Sequence, residues 1–207
     1  MQIKTDELAY WFFRLNGFLS IVNFVVHSDR RGETGTDADI LGVRFPYRVE
    51  LFERTMPDYR AFTKITSRLY IAIAEVKRGL CNLNGPLTSP ERRNIQRVLR
   101  AIGIFPLENV DFVAEKLYEQ GYYNNSRLYL SLICIGETSN PDVNNRFQLV
   151  PQILWSDIKS FIYQRFQNYK NVKTWHQHWD ENGQNLWNLF EDSRDEQSFT
   201  NNIELLA

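Results

Sequence analysis

The stretch that most constrains how this chain folds is an apolar run ending in an acid and a base, Ile71-Ala72-Ile73-Ala74-Glu75-Val76-Lys77. Its alternation of β-branched residues with alanine predicts a buried strand. Because successive side chains of a strand point to opposite faces, Glu75 and Lys77 share one face. Charged groups at the end of a buried strand are costly unless they have a partner or a task, so this pair is a candidate functional site.

A second predicted strand of the same character lies upstream, over residues 37–45. It begins with two acids, Asp37 and Asp39, and continues with apolar residues. If it neighbours the first strand, then Asp39, Glu75 and Lys77 converge at one end of a sheet. Carboxylates that meet at one point repel one another, and a divalent cation relieves that repulsion. Hard oxygen ligands of this kind suit Mg²⁺ or Mn²⁺.

This arrangement resembles the D…(D/E)-x-K signature of the PD-(D/E)XK, or restriction-endonuclease-like, nuclease superfamily. A first helix is predicted over residues 5–16, where Asn16-Gly17 ends it, and a second is predicted after the lysine strand from Ser89 to Ile102. Glu7 on the first helix and Gln96 on the second also fit the pattern. The resemblance covers residues 5–103. The sequence departs from the pattern at Ala38, where the family name has a proline, although many members lack that proline.

The resemblance implies hydrolysis of phosphodiester bonds with Mg²⁺ or Mn²⁺ as cofactor. The metal ligands would be Asp39, Glu75 and the backbone carbonyl of Val76. Lys77 would orient the attacking water or stabilise the transition state, and the sequence leaves both roles open. Further candidates are Glu7 and Gln96 as catalytic residues and Asp37 as an outer-shell or second-metal residue.

Arginines around the predicted site indicate where nucleic-acid phosphates would bind, since guanidinium groups bind phosphate oxygens. They lie in the loop before the aspartate strand, directly after Lys77 and on the helix that follows: Arg30, Arg31, Arg78, Arg92, Arg93, Arg97 and Arg100.

The order of predicted elements is helix, three strands, helix, then further strands and helices. It predicts an α/β fold with a mixed β-sheet flanked by helices, which the resemblance identifies as a restriction-endonuclease-like core. We assign residues 1–140 to this core. Residues 141–207 form an α-rich, aromatic-rich extension packed on it, with a strand over residues 147–155, a helix over 156–169 and a tail from Asp192 that frays.

Composition narrows the class of protein. The chain has 207 residues and is 43% hydrophobic and 24% charged, which is typical of a globular domain. Its formal net charge of -1 argues against a generally basic nucleic-acid-binding surface but leaves room for a local basic patch. Two cysteines and the lack of a signal-like or membrane-length apolar segment predict a cytoplasmic protein with free thiols.

The functional prediction is a metal-dependent nuclease, with an endonuclease acting on DNA as the first choice, in prokaryotic defence, restriction or repair. The sequence leaves open DNA versus RNA and endonuclease versus exonuclease cleavage. A homodimer or a protein partner would supply specificity, because no DNA-reading motif is visible. The alternatives are a catalytically silent nuclease fold that binds nucleic acid or a protein partner, and a protein-interaction module built on the aromatic C-terminal half.

Overall fold

The computed structural model describes residues 1–27, 35–51, 56–173 and 179–206. Within them the chain forms an α/β fold with a mixed sheet flanked by helices. The strands are β1 (Gln2–Lys4), β2 (Phe18–Val26), β3 (Thr36–Arg44), β4 (Leu69–Val76), β5 (Tyr122–Asn124), β6 (Leu128–Gly136), β7 (Gln152–Leu154) and β8 (Glu204–Leu206).

The helices alternate with these strands. They are α1 (Thr5–Leu15), α2 (Arg60–Thr63), α3 (Gly85–Thr88), α4 (Asn94–Ile102), α5 (Leu107–Gln120), α6 (Pro141–Arg146), α7 (Trp155–Asn168), α8 (Lys170–Lys173), α9 (Glu181–Asp192) and α10 (Glu196–Asn201). A 3₁₀ turn, Pro90–Arg92, precedes α4.

The main sheet has the strand order β2-β3-β4-β6-β5, and β7 also pairs with β6. The pairs β2–β3 and β3–β4 are antiparallel, whereas β4 and β6 run parallel. The connection between β4 and β6 contains α3, α4 and α5, as a crossover between parallel strands requires. Every residue of β4 after Leu69 is buried because both faces of this strand are covered.

Two hydrophobic clusters cover the two faces of the sheet. The first packs α1, α7, α9 and α10 against the sheet and contains large rings such as Trp11, Phe12, Trp155 and Trp187. The second packs α4 and α5 against the other face around Ile71, Ile73 and Leu132. The first cluster draws residues from both ends of the chain, so the C-terminal extension completes the core beside α1.

The turn after α1 has a strict requirement for glycine. Gly17 has a φ of +78°, and a Cβ added there would lie 1.8 Å from Nε of Arg48. The positive φ therefore strains any other side chain at this position, and a Cβ would also force the Arg48 side chain to move.

The C-terminal segment corrects the predicted fraying from Asp192. Asp195 and Ser198 form a reciprocal capping box at the start of α10, and Phe199 of that helix is fully buried. β8 then pairs in parallel with β1 at the other end of the chain. The prediction failed because polar composition does not reveal a distant strand partner.

Two other predicted elements differ in extent. The strand predicted over residues 147–155 is only β7, because the residues before it form a turn in which the N–H of Val150 donates to the carbonyl of Phe147 at 3.1 Å. The helix predicted from residue 89 is interrupted at Arg93, whose φ of +54° separates the 3₁₀ turn from α4. Across the described ranges, no helix is both long and apolar enough to cross a membrane.

Candidate active site

The structure brings Asp39, Glu75 and Lys77 together at the carboxyl end of β4. Nζ of Lys77 lies 3.1 Å from Oε2 of Glu75 and 3.6 Å from Oδ2 of Asp39. The same Asp39 oxygen accepts a hydrogen bond of 2.6 Å from the backbone N–H of Val76. One ammonium therefore lies between two carboxylates that come from neighbouring strands.

Strand register explains this convergence. Ile40 lies opposite Ala74 and Leu41 lies opposite Ile73, so one more step would place Asp39 opposite Glu75. The regular ladder ends at Ile40, and the Asp39 side chain binds the N–H of Val76 beyond it. A carboxylate thus takes the place of a backbone acceptor at the point where the two strands separate.

The strand pair β2–β3 is distorted beside Asp39. Asn23 has a φ of +53° in the middle of β2 and falls between the registered pairs Val22–Ile40 and Phe24–Ala38. In a regular strand Ile40 and Ala38 would share a face, yet Ile40 belongs to the first hydrophobic cluster and Ala38 to the second. The alternation of side chains is therefore reset at Asp39 without the extra residue that a bulge inserts, because the pairing register is the same on both sides.

Glu75 is the most confined charged group of the site. Its side chain has an exposed fraction of 0%, and Oε1 has no hydrogen-bond partner. Burial, reinforced by the charge of Asp39 and opposed by Lys77, raises the pKa of Glu75 to about 7. The charge of Asp37 raises the pKa of Glu75 by a smaller amount. Near neutral pH this carboxyl is poised between its two protonation states.

The pKa of Lys77 is also raised, which for a lysine favours the charged form. Burial alone would lower its pKa, but the adjacent Glu75 and Asp39 carboxylates outweigh burial and raise it. Lys77 is therefore a fixed ammonium at neutral pH. Its backbone is also held from two sides, since its N–H donates to the carbonyl of Ile135 at 2.9 Å and its carbonyl accepts from the Trp155 indole N–H at 3.0 Å.

The two cysteines lie on the same side of the sheet as Glu75. Cys134 is paired with Glu75 in the register of β4 and β6. Both thiols are buried and free, and burial raises the pKa of Cys81 to about 11 and that of Cys134 further. Neither is a thiolate nucleophile at neutral pH.

Three other predicted residues lie outside this contact set. Asp37 is exposed and paired with Val25 in the sheet register. Glu7 is half-buried in the first turn of α1, and its carboxylate makes no hydrogen bond or ion pair with Asp39, Glu75 or Lys77. Gln96 accepts a hydrogen bond of 2.9 Å from the Tyr118 hydroxyl, which fixes it between α4 and α5.

The predicted phosphate-binding arginines are in varied situations. Arg30 and Arg31 lie outside the described residues. Arg93 forms an ion pair of 2.7 Å with Asp111, while Arg97 donates to Asn94 Oδ1 at 2.9 Å and to the carbonyl of Arg92 at 3.4 Å. The remaining three, Arg78, Arg92 and Arg100, are exposed.

Three residues that the sequence reasoning missed lie around the carboxyl end of β4. Trp155 holds the Lys77 backbone, and Lys159 and Glu137 line a cavity beside it. Trp155 and Lys159 are four residues apart on α7 and so lie on one side of that helix. This spacing was the one feature of the sequence that could have linked the two residues.

The donor set for a metal ion is small. Within residues 1–27, 35–51, 56–173 and 179–206, no group of three or more histidine, cysteine, aspartate or glutamate side chains is arranged to hold a metal. The candidate ligands are therefore the Asp39 and Glu75 carboxylates with the Val76 carbonyl. In an extended strand the C=O points the same way as the N–H, so this carbonyl faces Asp39. A bound cation would give the buried Oε1 of Glu75 the partner that it lacks within the described part of the chain.

Comparison of the chain with protein-family models, with curated proteins and with solved structures returns no match.

Proposed function

We propose that this protein is a metal-dependent nuclease of the restriction-endonuclease-like type. The observation that carries the proposal is the meeting of Asp39, Glu75 and Lys77 at the end of β4, with one Glu75 oxygen buried and unpartnered. A buried polar atom without a partner costs free energy, so its retention favours a role in binding a ligand.

The order of elements gives further support. Helix α1 precedes three antiparallel strands, β2 to β4, and a helical crossover leads to the parallel strand β6. This is the succession of helix, three strands and helix that the resemblance implies. The candidate acids come from the middle and last strands of that meander, as the D…(D/E)-x-K pattern requires.

Asp39, Glu75 and the Val76 carbonyl would hold Mg²⁺ or Mn²⁺. When bound, such an ion lowers the pKa of a coordinated water and offsets negative charge on the phosphate. Asp39 is positioned for this role by the N–H of Val76, which occupies only one of its two oxygens.

The protonation state of Lys77 is compatible with both of its predicted roles. Because its pKa is raised, Lys77 carries a proton at neutral pH and would not act as a general base. It would orient the attacking water by donating to the water oxygen, or stabilise negative charge that develops on the phosphate. DNA stays the first substrate to test, with RNA as the alternative.

The test is a cleavage assay on supercoiled plasmid, linear duplex and single strands of DNA and RNA, with Mg²⁺, Mn²⁺ or EDTA. Glu75→Gln and Lys77→Met are compared with Glu119→Gln and Lys116→Met, which disrupt an exposed ion pair of 2.7 Å on α5. We expect metal-dependent cutting that is lost only in the first two variants. Absence of cutting in every condition, or equal cutting by all variants, would reject the nuclease and leave a binding role.

A further inference from the structure

A cavity of about 480 Å³ lies beside the candidate active site. It is lined by Arg78, Gly79, Glu137, Lys159 and Leu205. Arg78 directly follows Lys77, and consecutive Cα atoms are about 3.8 Å apart, so the cavity begins next to the candidate catalytic lysine. Lys159 and Leu205 come from α7 and β8, which are parts of the C-terminal extension.

Lys159 is an incompletely compensated cation. Its ammonium donates to the carbonyls of Ile203 at 2.9 Å and Thr200 at 3.4 Å, which leaves one of its three N–H groups without a protein acceptor. Burial lowers the pKa of this half-buried lysine, and the nearby Glu137 only partly opposes that shift. An anionic ligand in the cavity would provide the missing compensation.

Arg78 is the second cation of the cavity. Its side chain is exposed, and its guanidinium forms no hydrogen bond or ion pair with any residue in the described part of the chain. A guanidinium offers a planar set of donors that matches phosphate oxygens. With Glu137 as the lone acid of the lining, the formal charge of these side chains sums to +1 (two cations and one anion).

The rest of the cavity suits a group larger than a phosphate. Leu205 supplies an apolar wall, and a Cβ placed on Gly79 would meet no atom within 4 Å, so the space above this glycine is open. The volume of about 480 Å³ falls in the range of small-molecule sites. A bare phosphate would leave the apolar side unused.

We propose that this cavity binds the nucleotide next to the scissile phosphodiester. Arg78 and Lys159 bind the phosphate of that nucleotide, and Leu205 contacts its sugar or base. The assignment rests on the proposed nuclease function and gives the C-terminal extension a direct part in substrate binding.

The probe is thymidine 3′,5′-bisphosphate, titrated by calorimetry into the full-length protein in EDTA, where no metal chemistry contributes. We expect saturable binding that Arg78→Ala weakens about tenfold, as loss of a charge-assisted contact does. Lys159→Gln weakens binding in the same direction, with its thermal melt recorded because Lys159 also holds the C-terminal segment. Glu137→Gln removes the opposing charge and tightens binding.

Arg127→Ala is the matched control. Arg127 is an exposed arginine just before β6, at the opposite end of the sheet, and its loss leaves binding unchanged. Arg78→Ala also reduces the slope of log K against log salt by about 1, as expected for one lost phosphate contact.

Three results would overturn the assignment: no binding by the wild type at millimolar probe, equal weakening by Arg78→Ala and Arg127→Ala, or equal affinity for inorganic phosphate. Because binding is measured without metal, it separates the cavity from the chemistry. Bisphosphate binding in a protein that cuts nothing would reject the nuclease while the nucleotide site stands.

Discussion

Two buried charge clusters in this molecule differ in how completely their members are partnered. On α7, the fully buried Arg165 donates to Glu50 at 3.0 Å and Asp58 at 2.8 Å, and also to the carbonyls of Met56 and Pro57. Arg44 and Arg48 bind the same Asp58. Among the buried side-chain atoms of this cluster, only Nε of Arg165 lacks a partner within the described ranges.

The cluster at the end of β4 has a single cation for two carboxylates, and Oε1 of the buried Glu75 accepts nothing. The first cluster joins segments more than a hundred residues apart and so holds the fold together. The second has fewer cations than carboxylates, as the proposed metal site requires. The comparison teaches that buried charge indicates function when its partners are incomplete, and structure when they are nearly complete.

The largest expected effect is that of Glu75→Gln on activity. We predict a loss of cleavage of more than about a hundredfold, since the variant removes a proposed metal ligand and the charge that holds Lys77. The cleavage assay with metal measures it, and Glu119→Gln serves as the exposed control.

Glu75→Gln should also change how stability depends on pH. The folded-state pKa of about 7 lies above the usual 4.5, so the folded protein holds a proton that the unfolded chain releases earlier. The contribution of Glu75 to the free energy of unfolding is fully present below pH 4.5 and is lost as pH rises through 7. The total loss is up to about 3 kcal/mol. Denaturant unfolding in EDTA from pH 5 to 8 should show a decline in the wild type that flattens in the variant.

Arg165→Met should have the largest effect on stability. Removing this guanidinium takes away the buried donors of the Glu50 and Asp58 carboxylates and of the Met56 and Pro57 carbonyls, so the free energy of unfolding falls by about 3 kcal/mol or more. Arg60→Ala, which removes an arginine with 82% side-chain exposure from its ion pair with Asp157, should leave stability unchanged. Equal losses in the two variants would show that the first cluster does not hold the fold together.

Trp155→Phe should have a moderate effect. The variant keeps the ring in the core but removes the hydrogen bond to the Lys77 carbonyl. We expect kcat to fall about tenfold with KM unchanged, because the lysine is held less firmly while substrate contacts remain. A rise in KM alone would show that Trp155 contributes to substrate binding instead.

The smallest expected effect concerns the distortion beside Asp39. Asn23→Gly should be nearly neutral because glycine adopts a positive φ freely, whereas Asn23→Ala should lose about 1 kcal/mol. Denaturant unfolding measures both. Equal stability of the two variants would mean that the backbone of Asn23 does not hold this conformation in solution.

The sequence revealed the central part of this arrangement through short-range patterns. Alternation placed Glu75 and Lys77 on one face, and the mixed sheet with flanking helices followed from the order of the predicted elements. The end of α1 near Gly17 was also predicted from the local sequence, because glycine readily adopts the positive φ that ends a helix.

The remaining features depend on contacts between distant residues. Nothing in the local pattern showed that Asp195 caps a final helix or that β8 pairs with β1. Trp155 and Lys159 lie near the candidate site because α7 packs beside the end of β4, which the local sequence does not show. Gln96 was predicted at the site by analogy, and the structure shows it bound to Tyr118.

The most direct test of the contrast between the two clusters is calorimetric titration of the protein with Mn²⁺ at pH 8 and pH 6. We predict binding at pH 8 that weakens at pH 6, where protons compete for Glu75, and that disappears in Asp39→Asn but persists in Lys77→Met. Binding that is absent from the wild type, or equally strong in Asp39→Asn, would contradict the claim that the partly partnered cluster is a metal site.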